Sequence, residues 1–261
     1  MIVLEDSALF AGLVSFFLIS VRLSAMMLAA PFFSAATISV PMRVALALGL
    51  AVILTAKIKT PTTDLLSVPG FLVVMQEVLI GTAIGFVLQL AFAAVAMAGE
   101  QISFATGLGF AAMIDPQTGS QSPVVTQFLS IFLIMIFLST EGHHLLVRQV
   151  AASFDVLPIG APILDPKIFT AILQDAGLIF SSSFLISLPI VVSLFIMNLT
   201  LGMLARVAPA LNIFSIGFSI TILIGIALIM VTMPNIGAAI SGTLENVSQR
   251  MRELALVGSG K

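Results

Sequence analysis

Apolar residues along this chain fall into long blocks separated by short clusters of proline, glycine and charge. The first block runs from Ala8 to about Ala30, carries Arg22 inside it and ends near Pro31. Pro41 and Arg43 open a second, Val44–Ala56, which is too short to cross a membrane comfortably because about 20 apolar residues span the hydrocarbon layer. A polar link, Lys57–Asp64, follows and contains Pro61. The next block, about Phe71–Gly99, predicts a helix of about 43 Å at a rise of about 1.5 Å per residue, with Glu77 and Gln89 inside it. Val124–Thr140 and Ile213–Met233 hold no charge, and neither shows the period-two alternation of a membrane strand. Ile168–Leu204 contains Asp175, Pro189 and Asn198. It predicts two helical pieces joined or kinked at Pro189, since proline removes a helix donor and clashes with the preceding turn. The pattern is all-α.

The interruptions carry information too. Ser103–Pro123 is the longest stretch predicted to be irregular, with Gly107, Gly109 and Gly119 permissive and Pro116 and Pro123 lacking backbone donors. Glu141-Gly142-His143-His144 leads into a mixed segment that reaches Pro166, where Pro158 and Pro162 argue for a loop. A turn around Arg206–Asn212 precedes the last apolar helix. Beyond Pro234, Ile240, Leu244, Val247, Met251 and Leu254 form one apolar stripe, with Glu245, Gln249, Arg250 and Arg252 on the other faces. That spacing predicts an amphipathic helix over residues 237–257, docked on a partner or a membrane surface. Within the long third block, Gly81 and Gly85 make a small-xxx-small pair that Ala91, Ala94 and Ala98 extend, a face suited to close helix contact.

Composition shows what the blocks are for. Of the 261 residues, 59% are hydrophobic and 8% charged, with a mean hydropathy of +1.22. A soluble domain carries roughly 25% charged residues, so this surface faces lipid or apolar protein. Net charge is −2 and no basic stripe points to nucleic acid. Cysteine is absent, which removes disulfides and thiolate metal sites. The start has Glu5 and Asp6 but no base before Arg22, and it reads as a retained first helix rather than a signal peptide. Tryptophan and tyrosine, the usual interface anchors, are absent too. Either the 20 phenylalanines substitute for them, or protein partners cover much of the surface.

Few residues suggest chemistry. Arg22, Glu77, Asp175 and Arg206 lie in or beside apolar blocks, where each costs about 2.5–3.5 kcal/mol to insert. Two acids and two bases make pairing between helices the economical arrangement, with proton relay as the functional alternative. Adjacent His143 and His144 point about 100° apart on a helix, which suits a structural pair better than one metal ion. Asp115-Pro116 is a turn signal. No phosphate loop, metalloprotease motif or nucleophile elbow occurs, so no enzyme and no cofactor are expected. Irregular backbone at membrane depth survives only inside protein or along a cavity. If Ser103–Pro123 lies between helices, Phe110, Met113 and Ile114 form a plug that excludes water. If it lies outside, it is an ordinary surface loop.

At these residues a resemblance emerges. Gly107-Leu-Gly-Phe-Ala-Ala-Met-Ile-Asp-Pro-Gln-Thr-Gly119 resembles the central signature of the FliR family of flagellar biosynthetic proteins. Glu141-Gly-His-His144 with Ser153…Leu157-Pro158, and Leu201-Gly-Met-Leu-Ala-Arg-Val-Ala-Pro209 with Asn212-Ile-Phe-Ser-Ile-Gly-Phe218, match as well. Order and spacing agree across nearly the whole chain. Ala210 stands where the family often has Gln, and Ser219 where it has Pro, which puts the local kink in doubt.

The resemblance implies a subunit of the type III export gate in the bacterial inner membrane, within the flagellar basal body. Its implied partners are FliP and FliQ subunits, FlhA and FlhB, and unfolded flagellar export substrates. It implies kinked helical hairpins that stack into a helical hetero-oligomeric gate. A FliP-like part would cover residues 1–140, including a plug loop at 103–123, and a FliQ-like part residues 141–261. It places the plug on Gly107, Gly109, Phe110, Met113, Ile114, Asp115, Pro116 and Gly119. Arg22, Glu77, Gly81, Gly85, Asp175 and Arg206 are expected at helix and subunit contacts. The alternatives are the equivalent injectisome subunit and a stand-alone transporter or channel for a small solute.

Overall fold

A computed structural model describes residues 2–34, 38–58, 65–109, 123–160, 176–207 and 213–257, with the side chains of 2–8, 213–216 and 254–257 excepted. These residues form helices α1 (Ile2–Ala29), α2 (Pro31–Ser34), α3 (Val40–Thr55), α4 (Val68–Thr106), α5 (Val124–Ser139), α6 (Gly142–Val156), α7 (Gly177–Val207) and α8 (Ile213–Val257). No strand occurs among the described residues. Four of the helices, α1, α4, α7 and α8, are long and apolar enough to cross a membrane, and α5 with α6 makes a fifth if counted as one bent span. α3 falls below that length. Proline sits in its first turn, where a missing N–H costs nothing.

Three boundaries differ from the sequence pattern. α4 runs on through Thr106, so Ser103–Thr106 is helical rather than irregular. Both Ser103 and Thr106 are fully buried, and the Thr106 hydroxyl donates to the Ser103 carbonyl at 3.0 Å, which satisfies it within the helix. α7 passes through Pro189 as a single helix. Ile186, Ile190 and Leu194 flank that proline and share one core, so burial on both sides offsets the lost backbone bond. Pro234 likewise lies inside α8, with Ile236 and Ile240 continuing its buried face, and the amphipathic tail is the end of this helix rather than a separate one. Ile240, Val247 and Met251 of its stripe are buried within the chain itself, not presented to a partner or a membrane surface.

The mixed segment after Glu141 is the helix α6, whose apolar Leu146, Val150 and Phe154 are buried. Its N-terminal flank is strained. Glu141 has φ 56°, a left-handed backbone in a residue with a side chain. Such a backbone costs about 1–2 kcal/mol, of which glycine's greater unfolded-state freedom returns about 0.5–1 kcal/mol. Glu141→Gly should therefore stabilise the protein by a few tenths to about 1 kcal/mol, read as a higher thermal midpoint in detergent.

The chain divides into two compact units. The first comprises Met1–Leu90, Glu141–Ala176 and Asn246–Lys261, and the second Ala91–Thr140 and Gly177–Glu245. In the first, α1 packs along α3, and the N-terminal half of α4 crosses α1 at Gly81 and Gly85. In the second, Val95, Ala98 and Ile102 of α4 meet Val125, Leu129 and Leu133 of α5, Ile186, Ile190 and Leu194 of α7, and Ile236 and Ile240 of α8. Much apolar surface stays open: in the most apolar stretches of α7 and α8 only 22% and 17% of residues are buried.

Candidate functional site

The first unit is built around one charge. Arg22 of α1 is fully buried, and so is Glu77 of α4. A guanidinium offers five N–H donors in a planar fork. The Nε of Arg22 donates to Glu77 Oε2 at 2.5 Å and Nη2 to Glu77 Oε1 at 3.0 Å, a bidentate pair. Nη1 donates to Ser153 Oγ and Nη2 to the Leu157 carbonyl, each at 2.9 Å. The guanidinium carbon lies 3.9 Å from the centroid of the Phe154 ring, within cation–π range. One side chain thus ties together α1, α4 and the C-terminal end of α6.

The second unit contains a seam of small and hydroxyl residues. A Cβ on Gly99 would lie 2.6 Å from the Thr126 Cα, so α4 and α5 touch there backbone to backbone. Gly225 of α8 stands directly against the Thr106 side chain. Ser187 of α7 donates to Gln101 Oε1 of α4 at 2.5 Å, and the Thr221 hydroxyl of α8, which donates to its own Gly217 carbonyl at 2.7 Å, lies 3.4 Å from Asn198 Oδ1 of α7. At the end of α4 these helices leave an open groove of about 340 Å³. Its walls include Phe104, Gly107, Asn198, Gly202, Phe218 and Thr221. Gly107 has φ 83°, open to glycine but costly for other residues, and the Phe218 ring would meet an added Cβ at 2.9 Å. Three segments distant in sequence, at Gly107, at Leu201–Ala205 and at Gly217–Phe218, therefore line one groove.

The remaining candidates are dispersed. Phe110, Met113, Ile114, Asp115, Pro116, Gly119 and Asp175 lie outside the described residues. Gly109 is helical, with the Phe104 ring 2.9 Å from where its Cβ would be. Arg206 is exposed in the last turn of α7, where a cation faces the negative end of the helix. Gly81 abuts the Arg22 carbonyl and Ala25, and Gly85 abuts Met26, Ala29 and Ala30. The His143 and His144 rings lie 4.1 Å apart, and His144 Nδ1 is 3.5 Å from Glu141. No group of His, Cys, Asp or Glu suited to a metal ion occurs among the described residues.

Residue patterns pointed to Arg22 and Glu77 as costly charges, but not to Ser153, Phe154 or the Leu157 carbonyl as partners. A signal was available. Leu146, Val150, Ser153 and Phe154 recur at helical spacing and mark a face of α6 that must be buried.

Helices of this length, with apolar surface left open along α7 and α8, define an integral membrane protein. The pattern of the family described as bacterial export proteins, family 1, matches residues 13–247, and the chain belongs to that family. It is similar to the flagellar biosynthetic protein FliR of Pectobacterium carotovorum subsp. carotovorum, 38% identical over 219 residues that cover 84% of each chain. FliR of Escherichia coli strain K12 is 39% identical over 201 residues, covering 75% of this chain and 76% of that one. FliR of Bacillus subtilis strain 168 is 32% identical over 248 residues, covering 94% and 96%. The matched range contains both the Arg22 cluster and the groove.

Proposed function

We propose that this chain is a core subunit of the flagellar type III protein export gate, seated in the bacterial inner membrane at the flagellar basal body. The observation that carries this reading is the family match across residues 13–247, from α1 into the last part of α8. The chain works there with FliP and FliQ subunits and with FlhB and FlhA, and unfolded flagellar subunits pass through the channel it helps to form. Residues 1–140 are the FliP-like part and 141–261 the FliQ-like part.

The gate is passive and performs no catalysis. Phe110, Met113 and Ile114 seal the resting channel by excluding water, and Asp115 and Pro116 turn the loop. Gly107, Gly109 and Gly119 let it move aside. The groove at the end of α4 supports this division of labour, since Gly107 lies in its wall with residues of the two other signature segments. Arg22, Glu77, Gly81 and Gly85 set helix contacts, and Asp175 and Arg206 hold neighbours in register.

Deleting residues 107–119 tests the gate. Cells carrying the deletion should become permeable to small solutes while the export complex still assembles. An assembled complex with unchanged permeability would overturn the plug, and failure to co-purify with FliP- and FliQ-like chains would overturn the assignment to the gate.

A further inference from the structure

We infer that Arg22 is the positioning residue of α6: its guanidinium holds the C-terminal end of that helix, and Glu77 is the counter-ion that lets the charge be buried. Neutralising Glu77 needs one edge of the fork, Nε and one hydrogen of Nη2. Two of the three remaining donors go to α6, through Nη1 to Ser153 Oγ and Nη2 to the Leu157 carbonyl. A lysine in this place would satisfy the acid equally well as a point charge, but it could not span both sets of partners. The geometry therefore contains more than an ion pair requires.

α6 needs outside help at both ends. Its N-cap, Glu141, makes no side-chain cap and sits in a strained backbone. At the other end, Leu157 has φ −122° and ψ 77°, so no left-handed glycine cap forms, and the last turn has no base of its own. Pro158 follows and has no N–H to return to the open carbonyls. A cation delivered from α1 supplies the charge that this helix end lacks and a hydrogen bond to one of its open carbonyls, that of Leu157, while it also holds the Ser153 hydroxyl in the last turn. Phe154, stacked on the guanidinium one turn before the end, fixes the rotation of α6 as well as its position.

The test uses the absence of native cysteine. Leu146→Cys places a thiol under α6, and Ala47→Cys places one in the α3 contact of the same unit; both positions are buried. Reaction of each with a maleimide is followed in membranes containing the assembled protein, in the parent, Arg22→Lys, Ser153→Ala and the swap Arg22→Glu/Glu77→Arg. Modification at 146 should accelerate about tenfold in Arg22→Lys and in the swap, and several-fold in Ser153→Ala, while position 47 stays protected. The inference is overturned if the swap restores parental protection at 146, for then an ion pair is sufficient. It is equally overturned if positions 146 and 47 open together, which makes Arg22 a general stabiliser. Where the swap does not accumulate, Ser153→Ala decides: faster reaction at 146 alone supports the positioning role, and an unchanged rate rejects it.

Discussion

Arg22→Leu should cost the folded protein about 3–5 kcal/mol, enough to remove most of it from the membranes of producing cells. Glu77 would be left fully buried without its cation, and Ser153 Oγ and the Leu157 carbonyl would lose a charged donor. Desolvation, not attraction, dominates such pairs: taking one partner away is far worse than exchanging both for apolar side chains of similar volume. Arg22→Leu combined with Glu77→Leu should accordingly recover most of the lost thermal midpoint in detergent, although the end of α6 stays open. A double variant as damaged as the single one would mean that something other than an uncompensated charge sets the cost.

The second large effect is steric. An added Cβ on Gly81 would lie 2.9 Å from the Ala25 Cβ and closer still to the Arg22 carbonyl, and on Gly85 it would lie 2.7 Å from both the Ala29 Cβ and the Met26 carbonyl. The obstacles are backbone and methyl groups that cannot rotate away. Gly81→Val should cost about 3 kcal/mol, the upper end for overpacking, because α1 and α4 must separate along the seam. Gly12→Ala is the contrast. Nothing lies within 4 Å of its Cβ position, and alanine gains up to about 1 kcal/mol of helix propensity there. Opposite shifts in the thermal midpoints of these two glycine variants are expected. Equal shifts would contradict the close α1–α4 contact.

The fold was legible wherever a helix is defined by its own composition. α3 and α5 lie close to their apolar blocks because proline and polar residues flank them, and α1 follows the first block. The prolines misled because their cost is local while the gain that outweighs it is not. Ile186 and Ile190 lie on either side of Pro189, yet they pack into one core with residues of α4, α5 and α8. α6 was hidden for the opposite reason, since its histidines, Arg148, Gln149 and Asp155 dilute the apolar signal, and only the spacing of Leu146, Val150 and Phe154 betrays it. In the candidate site, charge in an apolar block marked Arg22 and Glu77 at once. Which acid met which base was not legible, because the partners lie 55 positions apart. A backbone acceptor such as the Leu157 carbonyl has no residue type to announce it.

That separation has a consequence for how the protein is made. Arg22 meets Glu77 across 55 residues and its α6 partners across 131 and 135. At a synthesis rate of roughly 5–20 residues per second, α1 waits about 3–11 s for its counter-ion to emerge and about 7–27 s for the end of α6. During that interval an unpaired guanidinium within the first span opposes insertion by about 2.5–3.5 kcal/mol. α1, which leaves the ribosome before all three of its partners, is therefore secured in the bilayer only after they emerge, and slowing or speeding translation between residues 22 and 77 should change how much of the protein is integrated rather than degraded.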